Sequence, residues 1–246
     1  MKKKLRQKVT KFLGYIGITP YIYYAYKFND PFLVKKKLFR NKPIVIFDVG
    51  AHDGRSITLY KKHFTASTIF SFEPTPKTYL QLEKTAKKYS NSFVFNIALT
   101  SFIGQTEFYL NNSSLTNSLL KSSDVENALS KVIETKEKII VNTNTIDQFC
   151  IENKIERINI LKIDVQGADL NVLIGATNML KEQKIDLIFV EVEFIEMYEN
   201  QPLFHDVSLF LRSLNYDLFS FYNMSIDKMG QIIYGDAIFL PKFNKM

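Results

Sequence analysis

The sequence predicts an α/β fold: a mostly parallel, doubly wound sheet of seven strands, finished at one side by an antiparallel edge hairpin. Three observations predict it. From Pro43 onward, short runs rich in β-branched and aromatic residues alternate with segments of helical period. The apolar run Val45-Ile46-Phe47-Asp48-Val49 opens directly into a turn that carries Gly50 and Gly54. A second apolar run, Thr68 to Phe72, ends in an acid, Glu73, about twenty residues later.

Each element follows in order. After the glycine turn, a helix is expected over about Ser56 to His63. The second strand closes at Glu73, and Thr75-Pro76 then supplies an N-cap with proline at the first helical position. That helix places Tyr79, Leu82 and Ala86 on one face. The run from Phe93 to Leu99 reads as one strand leading to a turn at Ser101–Gly104. Residues 111–138 are polar and rich in Ser and Asn, which predicts a long loop with a short helix, either a lid or simply mobile.

A helix near 145–153 precedes a strand from Ile158 to Asp164. The helix after Gly167 carries Leu170, Leu173, Ile174, Thr177 and Leu180 as one apolar stripe. The fifth strand, Ile185 to Val192, ends among Glu191 and Glu193. A helix over 203–214 and two strands, Asp217–Tyr222 and Ala237–Leu240, complete the chain, the strands forming the edge hairpin.

With 246 residues, 46% of them hydrophobic, the chain can bury one sizeable core. The expected organisation is a basic aromatic arm (1–42) and one domain (43–246). The single cysteine, Cys150, excludes an intrachain disulfide and fits a reducing, cytoplasmic compartment. Its place in an expected helix makes it a small buried hydrophobe. Three scattered histidines give no cluster with metal-ligand spacing, so no metal is expected.

Charge is unevenly spread. The arm holds twelve lysines and arginines against Asp30, so of the net +7 the remainder of the chain is mildly acidic. Its aromatic stretch, Phe12 to Tyr26, is too short and too broken by Gly and Pro to span a membrane. Lysine-flanked tyrosines suit either a helical lid over the domain or peripheral contact with the inner membrane surface.

The turn decides the ligand class. A dinucleotide site uses G-x-G-x-x-G, with backbone N–H groups facing a pyrophosphate. Here the spacing is Gly50-x-x-x-Gly54, bracketed by Asp48 and Asp53. Carboxylates there repel phosphate and suit a cation. S-adenosylmethionine carries a sulfonium and an ammonium and no phosphate, so it is the cofactor this turn predicts. The bland reading is an ordinary strand-turn-helix with fortuitous glycines.

In a doubly wound sheet, ligands sit beyond the carboxyl ends of the strands. Five such ends carry polar groups here: Asp48, Glu73, Asn96, Asp164 and Glu191/Glu193. Asp48 and Gly50, with Ala51, His52, Asp53 and Gly54 around the turn, are expected on the methionine side of the cofactor. Glu73 and Pro74 belong with the ribose, and Asn96 and Ala98 with the adenine edge.

At these residues the chain resembles the FkbM-type methyltransferases. The matching pieces are Asp48-Val-Gly-Ala-His-Asp-Gly54, Phe72-Glu73-Pro74-x-Pro76, Asn96-Ile-Ala98-Leu99 and Lys162-Ile-Asp164-Val-Gln-Gly167-Ala-Asp169. Val172-Leu173-x-Gly175-Ala176 and the late Gly235-Asp236-Ala237-x-Phe239 extend the likeness from about Pro43 to Leu240. The sequence departs from the family pattern at His52, where Asn is usual, and at Gln166 and Asp169, where Glu is usual.

The resemblance implies a Rossmann-like class I methyltransferase fold and methyl transfer from S-adenosylmethionine to oxygen, commonly on a sugar or a natural-product hydroxyl; with the basic arm, it points to a glycan or its lipid-linked or nucleotide-linked precursor. A hydroxyl acceptor must be aligned and must lose a proton. Asp164 is the candidate base. Lys162, two residues earlier on the same strand face, either pairs with it, binds the acceptor or forms a structural ion pair. Glu191 and Glu193 are candidates to line the acceptor pocket, and His205 is weighed against a surface or capping histidine.

Three rival readings remain at this point. A nicotinamide-dependent oxidoreductase is disfavoured by the flanking acids and the missing third glycine. A non-catalytic S-adenosylmethionine-binding scaffold is disfavoured by the acids at the strand ends. An RNA methyltransferase tethered by the arm is disfavoured because the domain lacks an interleaved basic and aromatic stripe.

Overall fold

The computed structural model describes residues 30–40, 42–123 and 130–242. Two compact units, Met1–Arg40 and Asn41–Met246, divide the chain. The first contributes one described helix, α1 (Pro31–Phe39). The Asp30 side chain caps it by accepting from Phe32 N at 2.9 Å, with Pro31 at the first helical position. The aromatic stretch Phe12 to Tyr26, read above as lid or membrane contact, lies outside the described residues. Among the described residues no helix is long and apolar enough to cross a membrane.

Among the described residues, the second unit contains ten strands: β1 (Val45–Val49), β2 (Thr68–Phe72), β3 (Ser92–Phe95), β4 (Ala98–Leu99), β5 (Gly104–Asn111), β6 (Thr135–Asn144), β7 (Ile160–Ile163), β8 (Ile188–Glu193), β9 (Tyr216–Ile226) and β10 (Ile232–Pro241). Its helices are α2 (Arg55–His63), α3 (Pro76–Ala86), α4 (Ser130–Ile133), α5 (Ile146–Glu152), α6 (Asp169–Ile174), α7 (Thr177–Lys181) and α8 (Phe204–Ser213). Seven strands form one sheet in the order β3-β2-β1-β7-β8-β10-β9. Pairing is parallel from β3 through β8 and antiparallel at β8–β10 and β10–β9. The expected seven-stranded sheet with its antiparallel edge is therefore present.

The central strands are apolar because both faces are covered. Phe47, Val49, Ile163, Val190 and Val192 are all buried, and Val172, Leu173 and Leu180 pack into the same cluster. An aromatic group closes one side: Phe149 from α5 meets Phe72 and Phe95 edge-on, each with ring centroids 4.8 Å apart.

Three elements differ from the sequence expectation. The run from Phe93 to Leu99 is two strands. Asn96 Nδ2 donates to the carbonyls of Glu73 and Pro74 at 2.8 and 2.9 Å, which bends the chain out of the main sheet. Ala98 and Leu99 then pair with Thr143 and Asn144 of β6 instead.

The stretch expected as a long loop from residue 111 is bounded by strands that the sequence reading left unassigned. β4, β6 and β5 form a second, three-stranded sheet. Its single buried face rests on Ala98, Phe108 and Val141, while Lys138 and Glu107 pair across the outer face at 2.9 Å. Partners about thirty residues apart with mostly polar sequence between them leave little local signal.

The apolar stripe after Gly167 is not one helix. Backbone N–H groups of Asn178 and Met179 donate to the Asp147 carboxylate at 2.8 and 3.0 Å, starting α7 afresh. A Cβ on Gly175 would lie 2.1 Å from the Thr100 carbonyl oxygen, so the chain between α6 and α7 passes close against the end of β4.

Candidate active site

The cleft opens beyond the carboxyl ends of β1, β2 and β7, where the strand order reverses. Its floor is the turn after β1. Gly50 N and Ala51 N both donate to Phe72 O, at 3.1 and 3.0 Å, which holds the turn against the end of β2. Gly50 has φ +78°, and a Cβ there would sit 1.9 Å from the Asp164 carbonyl oxygen. Only glycine fits.

Glu73 forms one wall. It is 6% exposed. Its carboxylate accepts from His52 N at 3.1 Å and Thr75 N at 2.9 Å. Burial raises its pKa, with the Thr75 and His52 contacts opposing. Each oxygen so far holds one hydrogen bond and keeps a lone pair for a further donor.

Asp164 forms the opposite wall, with its side chain 39% exposed. Behind it lies Lys162, whose Nζ is 3.2 Å from Asp48 Oδ1, 3.4 Å from Asp164 Oδ2 and 3.4 Å from Gly50 O. Burial works against the ammonium charge, but Asp48 and Asp164 outweigh it and the pKa is raised. Asp48 itself has no exposed surface.

Gln166 extends this wall in a left-handed conformation, φ +57°. Its Nε2 donates to Asp164 Oδ1 at 3.1 Å and to Glu191 Oε2 at 2.8 Å. Its Oε1 lies 3.3 Å from the hydroxyl of Tyr198. Burial, then Asp164 and Glu193, push the Glu191 pKa well up. Glu193 is almost fully buried, and burial followed by Asp169 and Asp164 raises it likewise. Asp169 accepts from Val165 N and Gly167 N, and burial together with Asp164 pushes its pKa up to about 7.

A strap after β5 covers the cleft, contributing Ser114, Leu115, Asn117 and Leu119 to its lining. Three contacts hold the strap down. Ser118 Oγ donates to Gln166 O at 2.7 Å, the Tyr198 hydroxyl donates to Thr116 O at 3.0 Å, and Ser114 Oγ lies 3.0 Å from His52 Nε2. Asn117 Oδ1 accepts from Asn111 N and shapes the loop locally. The space between these walls, counted together with the solvent at its open mouth, measures about 630 Å³.

The predicted site residues fall into two groups. Gly50, His52, Glu73, Pro74, Ala98 and Asp164 line the cleft. Asp48, Ala51, Asp53, Gly54, Asn96, Lys162, Glu191, Glu193 and His205 do not. Asp48 and Lys162 pair beneath the turn. Asp53 accepts from Arg55 N and pairs with Arg55 Nε at 3.0 Å, at the start of α2. Gly54 packs against Thr85 and Leu82 of α3. Asn96 shapes the bend after β3. His205 is exposed on α8 beside Asp206. The sequence does not announce Ser114 and Ser118, since a Ser- and Asn-rich segment gives no sign of where it docks, nor Tyr198, which lies in a short irregular stretch after β8. Gln166 showed itself only as a departure from the family pattern. Among the described residues no three His, Cys, Asp or Glu side chains converge to hold a metal ion.

A sheet in this order, with an acid closing β2 and a glycine turn closing β1, defines a class I, Rossmann-like methyltransferase domain. The pattern of the methyltransferase FkbM domain matches residues 48–218, and the chain belongs to that family. It is 26% identical over 166 residues to a protein of Sinorhizobium fredii named 2-O-methyltransferase NoeI, covering 64% of this chain and 66% of that one. It is 28% identical over 158 residues to Methyltransferase 1 of Beauveria bassiana, covering 58% and 61%. It is 26% identical over 148 residues to the hexuronic acid methyltransferase AglP of Haloferax volcanii, covering 60% and 55%. The chain thus spans between 55% and 66% of the length of these relatives.

S-adenosylmethionine is the cofactor of this family, and the cleft fits it on three counts. The Gly50 turn leaves a cradle that a Cβ would fill. Glu73 retains acceptor capacity for hydroxyl donors. The Asp164 carboxylate faces the cleft and suits a cationic ligand, whereas the turn acids read for that role, Asp48 and Asp53, are paired with Lys162 and Arg55 outside it.

Proposed function

We propose that this chain is an S-adenosylmethionine-dependent O-methyltransferase acting on a hydroxyl of a glycan or glycan precursor. The observation that carries the reading is the placement of Asp164. Its carboxylate is exposed to the cleft across from Glu73, held on one side by Lys162 and on the other by Gln166. One relative's name specifies 2-O-methylation and another's specifies a hexuronic acid, which supports oxygen as the acceptor atom and a sugar as its carrier.

In this reading Glu73 takes the ribose hydroxyls, Gly50 and His52 bound the methionine side, and Pro74, Ala98 and the apolar side chains of Ile97 and Leu99 flank the base. The bound cofactor supplies a methyl group on an already activated carbon. The protein's own task is to align the acceptor and take its proton. Asp164 is the base. Lys162 holds its carboxylate in place and shares that charge with Asp48. Glu191 orients Asp164 through the Gln166 amide. The basic arm is read either as a lid or as a contact with an anionic surface such as the inner membrane leaflet.

Calorimetric titration with S-adenosylhomocysteine, alongside Glu73→Ala and with NAD as competitor, tests the cofactor assignment. Micromolar binding to wild type, lost in the variant and indifferent to NAD, is expected. No binding to wild type, or preference for NAD, overturns the reading.

A further inference from the structure

We infer that the ring accepted by this site is an uncharged sugar, not one carrying a carboxylate or phosphate; this rests on the O-methyltransferase reading above. The argument begins with position. Gln166 Nε2 draws the carboxylates of Asp164 and Glu191 to one nitrogen, at 3.1 and 2.8 Å. Glu193 follows two residues along β8, on the same face as Glu191. Asp236 of β10 stands opposite Glu191 in the antiparallel register, so their side chains share a face as well. Asp169 lies nearly buried beneath the turn after β7.

Five carboxyl groups thus gather at one end of β7, β8 and β10. Lys162 reaches this group through Asp164, but it divides its charge with the wholly buried Asp48. Among the described residues, the ionisable side chains that line the cleft are His52, Glu73 and Asp164, with no lysine or arginine. Burial first, and neighbouring carboxylates second, raise the pKa of Glu191, Glu193 and Asp169, so the carboxylate that presents charge to the acceptor is Asp164 in the lining.

A carboxylate or phosphate on the acceptor ring would meet the Asp164 carboxylate as a like charge, with no lining lysine or arginine to offset it. Sugar hydroxyls do the opposite. They donate to carboxylates, and an ionised acceptor strengthens each such bond.

Protein saturated with S-adenosylhomocysteine, probed by saturation-transfer NMR, tests this with three rings: methyl glucoside, methyl glucuronide and glucosamine. The glucoside should bind about tenfold more tightly than the glucuronide, the effect of one like-charge contact at a partly exposed site. That gap should narrow in high salt and in Asp164→Asn. Equal or tighter glucuronide binding, binding of glucosamine alone, or an unchanged gap in Asp164→Asn would overturn the inference. Silence from all three rings while S-adenosylhomocysteine stays bound also overturns it and leaves the cofactor site standing. Failure of S-adenosylhomocysteine to bind overturns the reading beneath.

Discussion

The ammonium of Lys162 lies 3.2 Å from a carboxylate oxygen of Asp48, and the two side chains are direct neighbours across parallel strands β1 and β7. The pair sits under the turn that carries Gly50, so it supports the cleft floor from below. A buried charge pair of this kind contributes little net stability, yet removing one partner leaves the other charge unmatched.

Lys162→Met should therefore destabilise the fold by about 3–5 kcal/mol, and Asp48→Asn added to it should restore much of the loss. Urea unfolding of the two variants checks this. Equal stability of Lys162→Met and wild type would contradict the pairing.

Gly50→Ala places a methyl group against the Asp164 carbonyl in a backbone conformation that costs about 1–3 kcal/mol for a side chain other than glycine. Affinity for S-adenosylhomocysteine should fall at least about tenfold. Titration shows this directly, and circular dichroism should report an intact fold.

Gln166→Glu exchanges the amide donor between Asp164 and Glu191 for a third carboxyl group. One proton must then be held among the three, since like charges so close cannot all ionise. The variant should come nearest to wild type below the unfolded glutamate pKa of about 4.3 and lose thermal stability relative to it as pH rises. Parallel melting curves across that range would expose any other behaviour.

Asp169 carries its own pH signature. Its folded pKa, about 7, lies above the unfolded value near 3.9, so the native state binds the proton more tightly. The stabilisation is full below the unfolded pKa and is lost as pH rises through about 4 to 7. The thermal midpoint should decline across that window. Asp169→Asn should flatten the decline.

Tyr198→Phe deletes the hydroxyl that touches both Thr116 O and Gln166 Oε1. The expected cost is about 1 kcal/mol for the bond to the strap. Amide hydrogen exchange over residues 111–123 should quicken in the variant, with β1 and β7 unchanged. Uniform acceleration across the protein would mean global destabilisation instead.

Much of the fold is legible in the chain because its signals are local. Val45–Val49 and Thr68–Phe72 are short apolar runs with a glycine turn or an acid at their ends, and both were read at their true positions. The strands β5 and β6 were not read, since half of each faces solvent and the partner lies about thirty residues away. The continuous stripe from Leu170 to Leu180 suggested one helix, because periodicity is blind to a carboxylate such as Asp147 arriving from another element.

The site divides along the same line. Glu73 and Gly50 could be named from the chain because strand-end chemistry and glycine spacing are carried by neighbours in sequence. Lys162 was visible as a partner for Asp164 on the same grounds, two residues apart on one strand. Its closer contact, with Asp48, exists because β1 is flanked by β7, and strand order is set by how buried faces are matched across the whole sheet. Gln166 likewise gains its role from Glu191 on β8 and Tyr198 beyond it. The amino-acid sequence by itself determined a glycine turn and a set of acid-tipped strands. Only tertiary packing, by bringing those strand ends within hydrogen-bond reach, decided which acids are buried, which are paired and which face the cleft.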